Sequence, residues 1–263
     1  MQTLRQRWNA NQTTLGGWLS IPTSVTAEAT ARSGFDYVCI DMQHGVIDYS
    51  DVPAMIQAIL LADGCPIVRV PWNEPGVIGK VLDAGAHGVI IPMVNTVAEA
   101  EAAVRACRYA PAGARSSGPI LAQPRVDGGD YLGWARENVV CIPMIETVEA
   151  VGNVDAILAI SGIDAIYVGP ADLSISLGLA PGNNDNEARF TDALATVVDA
   201  CRKAGVVAGI HSTGDLTPKR VAAGFTMVTV TSDGVAMRLG LAAELAEARS
   251  GTAGPSGSTS STY

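Results

Sequence analysis

Short apolar runs alternate with alanine-rich segments along most of the chain. Each run has the length and composition of a buried strand, and a turn signal and a segment with helical apolar spacing follow it. This alternation is typical of βα units repeated around a parallel sheet. The predicted strands are residues 15–19, 37–40, 67–70, 88–91, 139–144, 165–168, 206–210 and 227–230. The predicted helices are residues 24–33, 50–62, 75–84, 97–107, 148–160, 187–204, 216–223 and 234–248.

Eight such units predict a single α/β domain, a closed (β/α)8 TIM barrel over residues 1–249. A doubly wound open sheet is the structural alternative. Residues 250–263 are mostly Gly, Ser and Thr and cannot offset their ordering entropy by burial, so we expect a flexible tail. Two longer connections, 109–131 and 174–185, have the length and composition of binding loops.

Composition narrows the range of partners. Hydrophobic residues make up 48% of the chain and charged residues 16%, which suits a large core. The net charge of −9, with no run of Lys or Arg, argues against nucleic acid as a partner. No apolar stretch approaches the length of a membrane span, so we expect no membrane partner and a cytoplasmic location. Five well-separated cysteines without a CxxC pair predict buried free thiols in a reducing compartment.

Polar side chains follow four of the predicted strands at the end where barrels carry their chemistry. Asp41 and His44 follow the second strand, Arg69 lies near the end of the third, Glu146 follows the fifth, and Asp172 follows the sixth. Because the carboxyl ends of parallel strands meet at one rim, we expect these groups to share a single mouth.

Glu146 and Asp172 lie just beyond neighbouring strands with no basic residue beside them. A hard cation such as Mg²⁺ is often held by few carboxylates, with water and substrate oxygens completing its shell. The alternative is that each acid only complements the dipole of the helix that follows it. Two such acids together favour a metal site.

Arg69 interrupts an apolar run, where a guanidinium needs an anionic partner such as a substrate carboxylate. The alternative is an internal ion pair with Asp41. His44 follows Asp41 by three residues, a spacing that suits a general base oriented by a carboxylate, although a solvated loop histidine is the alternative. His87 precedes the fourth strand and should be structural, whereas His211 ends the seventh and could contact substrate.

No GxSxG nucleophile elbow is present, and no lysine stands at a strand end in a position to form a Schiff base. Five long motifs, in order, resemble the HpcH/HpaI aldolase family of class II pyruvate aldolases. They are GFDYVCIDMQHG (34–45), PIVRVPWNEPGVIGKVLDAGAHGVIIPMV (66–94), RYAPAGARSSG (108–118), PMIET (143–147) and YVGPADLSISLG (167–178).

The resemblance implies a divalent-metal-dependent aldolase that reversibly cleaves 4-hydroxy-2-oxo acids to pyruvate, or a related 2-oxo acid, and an aldehyde through a metal-held enolate. It implies that Glu146 and Asp172 bind Mg²⁺, Mn²⁺ or Co²⁺ and that Arg69 binds the pyruvate portion. His44 and Asp41 would form the acid–base pair. An oxaloacetate decarboxylase using the same enolate, or a non-catalytic barrel that binds a 2-oxo acid, remain alternatives.

The resemblance also implies a substrate pocket. Its lining residues are Trp18, Met144, Gly169, Pro170 and Ala171, the last through its backbone N–H. Met144 departs from the family pattern, where a glutamine contacts substrate, and this departure leaves the substrate preference open.

Oligomerisation is a further implication of the resemblance. Members of the family form homohexamers, trimers of dimers, with exchanged C-terminal helices. Asp83 would act beside the histidine of a neighbouring subunit. Gln43 stands where a glutamate is common, and this departure should change little.

Overall fold

The computed structural model describes residues 2–250 of the chain. Its eight strands are all parallel and lie in one sheet. They are β1 (Thr14–Leu19), β2 (Tyr37–Asp41), β3 (Pro66–Arg69), β4 (Gly88–Ile91), β5 (Val140–Pro143), β6 (Ala165–Val168), β7 (Val207–His211) and β8 (Met227–Ser232). Each predicted strand is therefore present, with ends that differ by at most two residues.

The sheet curls into a barrel. Strand β1 pairs with both β2 and β8, so the first and last strands are neighbours. The remaining gap, between β5 and β6, is bridged by Met144 and Tyr167, and the Ile145 N–H donates to the Tyr167 carbonyl at 2.9 Å. The structure confirms the (β/α)8 barrel and excludes the open doubly wound sheet.

Twelve α-helices and one short 3₁₀ helix, Gln123–Arg125, occur between residues 2 and 250. The helices are α1 (Leu4–Asn9), α2 (Ser24–Arg32), α3 (Val52–Leu61), α4 (Pro75–Asp83), α5 (Val97–Cys107), α6 (Tyr131–Asn138), α7 (Val148–Gly152), α8 (Val154–Leu158), α9 (Pro170–Ser176), α10 (Ala188–Ala204), α11 (Thr217–Ala222) and α12 (Asp233–Ser250). Helices α1, α6 and α9 lie outside the predicted helix ranges. The predicted helix over 148–160 is divided at Asn153, whose side-chain amide donates to the Asn95 carbonyl at 2.8 Å.

Two hydrophobic cores stabilise this arrangement. The larger core lies between the strands and the surrounding helices, and the smaller one fills the barrel itself. Leu4 and Trp8 of α1 belong to the inner core, so this helix closes the barrel at the end opposite the carboxyl ends of the strands. Chemistry is thereby confined to the other rim.

The cysteines, the lengths of the helices and the C-terminal residues were also the subject of predictions. All five cysteine side chains are buried free thiols. Among residues 2–250, no helix has both the length and the apolarity that crossing a membrane requires. The predicted tail over 250–263 lies outside the described residues except for Ser250, which ends α12.

Candidate active site

A buried ion pair lies at the carboxyl end of the barrel. Asp41 and Arg69 are the last residues of β2 and β3, and they are partners in the strand register. Arg69 donates to both carboxylate oxygens of Asp41, from Nε to Oδ1 at 2.8 Å and from Nη2 to Oδ2 at 2.6 Å. Burial alone would raise the pKa of Asp41, but the hydrogen bonds and charge of Arg69 outweigh it and lower that pKa.

The ion pair rests on a tryptophan. The indole N–H of Trp18 donates to Asp41 Oδ2 at 3.1 Å, and the Arg69 guanidinium lies 4.9 Å from the centre of the Trp18 ring. The internal ion pair considered for Arg69 is therefore formed. One edge of the guanidinium is used by Asp41, which leaves Nη1 as the nitrogen with no hydrogen bond to the described residues.

Glu146 lies beyond β5 and is 1% exposed. Its Oε1 accepts a hydrogen bond from the Met93 N–H at 2.8 Å, and Met93 adopts a left-handed φ of 54°, which is uncommon for a non-glycine residue. Burial, followed by the negative charge of Asp172, raises the pKa of Glu146 to about 7, against the opposing effects of Met93 and Arg69. Glu146, Asp172 and Arg69 are therefore close enough to influence one another.

Asp172 lies in the first turn of α9 and is partly buried. Within residues 2–250, neither Asp172 nor Glu146 forms an ion pair with a lysine or arginine. Gly169 lies so close that a Cβ there would overlap Glu146 Oε2. The two acids thus face a shared space without an ion-pair partner, and the charge of Arg69 offsets their mutual repulsion only in part.

This donor set fits a hard divalent cation. Burial is the main cause of the raised pKa of Glu146, and the negative charge of Asp172 adds to it. A cation would offset both effects, and two carboxylates with room for water and substrate oxygens match the needs of Mg²⁺. No group of three or more His, Cys, Asp or Glu side chains suited to a metal occurs in the described part of the chain. A closed structural zinc site of the usual kind therefore does not account for these acids.

Neither His44 nor Asp83 is hydrogen-bonded to this pair of acids. His44 is exposed in the turn after β2, and its backbone N–H donates to Asp41 Oδ1 at 3.3 Å, while its imidazole has no hydrogen-bond or ionic partner among residues 2–250. Asp83 ends α4, and its Oδ1 accepts a hydrogen bond from the buried Arg115 at 2.6 Å. Within one chain, no hydrogen bond joins Asp83 to His44.

Comparison with known proteins decides the family. The family model for HpcH/HpaI aldolase/citrate lyase matches residues 15–238. The chain belongs to this family. A hydroxypyruvate/pyruvate aldolase of Rhizorhabdus wittichii is 44% identical over 234 residues, covering 89% of this chain and 93% of that protein. A 4-hydroxy-2-oxo-heptane-1,7-dioate aldolase of Klebsiella pneumoniae is 37% identical over 215 residues and covers 80% of each.

A solved structure agrees with this family assignment. The crystal structure of an HpcH/HpaI aldolase/citrate lyase family protein from Burkholderia cenocepacia superposes with a TM-score of 0.86 at 33% identity. The match covers 94% of this chain and 98% of that one. The barrel described above is therefore the fold of a family member over nearly its whole length.

The five expected pocket residues lie around the mouth of this HpcH/HpaI barrel. Trp18 and Met144 are buried, with exposures of 3% and 1%. Gly169 and Pro170 are buried where β6 leads into α9, and Ala171 is exposed in the first turn of that helix. The Met144 methyl group lies beside Gly169, so an apolar side chain occupies that part of the wall.

Two features of the site were not expected from the sequence. The first is the Met93 N–H on Glu146, which depends on an unusual backbone conformation that no local motif indicates. The second is a chain of buried hydroxyl groups that reaches His211 through the barrel interior. Glycines within strands β1 and β7 were the available signal, because strand glycines often mark a close approach of another group.

Proposed function

We propose that this protein is a divalent-metal-dependent aldolase that reversibly cleaves 4-hydroxy-2-oxo acids to pyruvate, or a related 2-oxo acid, and an aldehyde. The observation that carries the proposal is the buried Glu146 carboxyl, which shares its surroundings with Asp172 and has no basic partner. The names of family relatives, which are aldolases acting on such acids, support the reaction class.

Glu146 and Asp172 are the residues that would hold Mg²⁺, Mn²⁺ or Co²⁺. The Met93 N–H fixes Oε1 of Glu146, which leaves Oε2 as the oxygen directed at an ion. When bound, a divalent cation supplies stabilisation for the negative charge that develops on the 2-oxo oxygen. The protein contributes a rigid, dry carboxylate in a fixed orientation.

Arg69 would hold the carboxylate of the 2-oxo acid. Because Asp41 already occupies Nε and Nη2, the free Nη1 is the group proposed to donate to substrate. Asp41 and Trp18 then act as positioning residues that fix the orientation of the guanidinium at the mouth of the barrel. The exposed backbone N–H of Ala171, with Gly169 and Pro170, would complete the carboxylate-binding wall.

His44 is the proposed general base. In the cleavage direction it accepts the C4 hydroxyl proton through a water molecule, and the C3–C4 bond breaks. The electron pair of that bond stays with the pyruvate fragment as an enolate, and C4 leaves as the aldehyde. Protonation of the enolate at C3 gives the 2-oxo acid. The unpartnered, exposed imidazole has the access to water that this role needs.

Homo-oligomerisation, as a hexamer built from three dimers, is part of the proposal. Within one chain, Asp83 bonds to Arg115 and does not bond to His44, so Asp83 would assist the histidine of a neighbouring subunit. Helix α12 has no buried residue and exposes several large apolar side chains, as an exchanged helix would in an isolated chain.

Deuterium exchange into the methyl group of pyruvate tests the central step without knowledge of the aldehyde. With Mg²⁺ in D₂O, the wild-type protein should exchange the methyl protons. Glu146→Gln and Asp172→Asn should each slow exchange by about a hundredfold or more, because a metal contributes several kcal/mol to such steps. Glu149→Gln, an exposed acid three residues away, is the matched control and should exchange at the wild-type rate.

Two results would contradict the proposal. Full exchange after exhaustive chelation would show that no metal is needed. Binding of pyruvate without exchange would indicate a barrel that senses or stores the 2-oxo acid.

A further inference from the structure

A chain of three buried hydroxyl groups crosses the barrel interior and ends at His211. The Tyr37 and Thr229 hydroxyls are 2.9 Å apart, and those of Thr229 and Tyr167 are 2.6 Å apart. The Tyr167 hydroxyl lies 3.4 Å from Nδ1 of His211. We call Tyr37, Thr229 and Tyr167 the hydroxyl chain. Each of the three residues is 0% exposed.

Two strand glycines make this chain possible. A Cβ at Gly16 in β1 would overlap the Tyr37 ring, and a Cβ at Gly209 in β7 would lie 2.9 Å from the Tyr167 ring. Both rings therefore lie flat across neighbouring strands and bring their hydroxyls to Thr229 in β8. The arrangement requires glycine at both positions, so the sequence of the two strands specifies where the tyrosine rings lie.

The protons of the chain can all be satisfied in a direction that ends on His211. The Tyr37 hydroxyl forms its short hydrogen bond with Thr229, at 2.9 Å, and also interacts with Tyr167, so we assign its proton to the Thr229 contact. Thr229 then donates to Tyr167, and Tyr167 donates to His211. In this arrangement every buried hydroxyl proton of the chain has an acceptor, which avoids the cost of about 1–3 kcal/mol for an unsatisfied buried group.

This direction sets the state of the His211 ring. Nδ1 accepts a hydrogen bond and carries no proton, so the proton of the neutral imidazole is on Nε2. Burial, followed by the positive charge of Arg69, lowers the pKa of His211 to about 4, with Asp41 opposing, which agrees with a neutral ring. Nε2 has no partner among the described residues and is not buried, so its N–H is open to the mouth.

The His211 ring lies beside the proposed substrate. It meets Trp18 edge-on, with ring centres 5.0 Å apart, and the same indole carries Arg69 at 4.9 Å. A 2-oxo acid whose carboxylate is held by Arg69 would place its C3 substituent two bonds from that carboxylate. A neutral N–H suits an uncharged oxygen, whereas the carboxylate already has Arg69.

We propose that His211 is a substrate-binding residue whose Nε2–H donates to a hydroxyl on C3 of the 2-oxo acid, with the hydroxyl chain holding the required tautomer. The inference rests on the proposed aldolase function and deepens it. It predicts a preference for 3-hydroxy-2-oxo acids such as hydroxypyruvate over pyruvate. The hydroxyl chain residues are positioning residues, because they act through the imidazole.

The first test compares two donors. With one aldehyde, kcat/KM is measured for hydroxypyruvate and for pyruvate. His211→Leu should lower the ratio of the two values about tenfold, the effect of one net hydrogen bond. His211→Gln, which keeps an N–H donor, should restore part of the ratio. An unchanged ratio in His211→Leu would overturn the substrate contact, since a purely structural defect would affect both donors alike.

The second test needs neither turnover nor metal. The chain has three histidines, so ¹⁵N spectra of the imidazole nitrogens are simple to assign by comparison with His211→Leu. The His211 ring should be neutral and protonated at Nε2 in the wild type and in Thr229→Ser, and a mixture of tautomers should appear in Thr229→Val. A proton on Nδ1 in the wild type would refute the proposed direction of the chain.

The two tests separate this inference from the proposed function. If the wild type turns over neither donor and exchanges no protons, the aldolase proposal fails whatever the tautomer. If the wild type turns over both donors and the ratio of their kcat/KM values is unchanged in His211→Leu, the inference alone fails.

Discussion

The Asp41–Arg69 pair shows how two charges are kept at the buried end of two strands. Each side chain is almost inaccessible, with side-chain exposures of 4% and 11%. Desolvation of both ions is costly and offsets much of their attraction. The main contribution of each partner is that it compensates the buried charge of the other. Removal of one partner leaves the other buried and unpaired.

Asp41→Asn should therefore lower the free energy of unfolding by about 3 kcal/mol, measured by urea denaturation at neutral pH. The asparagine keeps an oxygen for Trp18, so the change isolates the lost charge. Because the fold lowers the pKa of Asp41, the pair contributes fully above the usual carboxyl pKa and is lost as pH falls through the lowered value.

An exposed ion pair provides the control for that experiment. Glu28 and Arg32 pair across one turn of α2 with side-chain exposures of 49% and 63%. Glu28→Gln should change the unfolding free energy by less than about 0.5 kcal/mol. An equally small loss in Asp41→Asn would mean that Arg69 readily finds another partner.

At this scale the sequence predicted which residues gather at the mouth better than it predicted their contacts. Polar residues after apolar runs indicated Asp41, Arg69, Glu146 and Asp172, because parallel strands end at a common rim. The choice between substrate and Asp41 as the partner of Arg69 depended on the register of β2 and β3. That register is a long-range property that residue spacing does not contain.

At the scale of elements, the strands β1 and β7 are shaped by glycines that admit aromatic rings. The Tyr37 ring occupies the space that a side chain at Gly16 would need. Helix α4 provides a contrast, because a Cβ at Gly79 would meet nothing within 4 Å. Gly16 in its strand is crowded by the Tyr37 ring, whereas Gly79 in its helix has open space beside it.

Gly16→Ala should destabilise the protein by about 3 kcal/mol or more, because the buried Tyr37 ring has no free space into which it can move. Gly79→Ala should raise stability by about 0.5–1 kcal/mol, because alanine favours a helix interior. Urea denaturation of both variants measures the contrast. A mild loss in Gly16→Ala would show that the interior can repack around the new methyl group.

Elements with strong periodicity were predicted well, and short ones were not. Helix α5 was predicted at its observed bounds, and its start carries a capping box between Thr96 and Glu99. Helix α1 has six residues and depends on its contacts with the barrel interior. Such a helix has too little local signal to be recognised, because tertiary packing rather than propensity stabilises it.

At the scale of the whole molecule, α12 is the element least satisfied by a single chain. None of its side chains is buried, and Met237, Leu239, Leu241 and Leu245 are each at least half exposed. Exposed apolar surface of this extent usually marks an interface. Sequence periodicity predicted the helix, but which barrel it packs on is a property of the assembly.

The native mass should therefore be a multiple of the 27.1 kDa chain, and Leu241→Glu should reduce it. A charge placed in an apolar interface must be desolvated without a partner, which weakens association by several kcal/mol. Sedimentation equilibrium measures both masses. Glu244→Gln, a conservative change on the same exposed helix, is the control and should keep the native mass. A monomeric wild type would contradict the proposed assembly.

The closure of the barrel by α1 and by the tyrosine rings also affects how substrates reach the site and how products leave it. Leu4 and Trp8 close the end of the barrel opposite the carboxyl ends of the strands. Substrates and products therefore enter and leave through the one opening at the carboxyl end. If Arg69 holds the 2-oxo acid as proposed, the aldehyde half of the substrate would lie nearer that opening than the 2-oxo acid half. Product release would then be ordered, with the aldehyde leaving first. In the synthetic direction the 2-oxo acid would bind before the aldehyde.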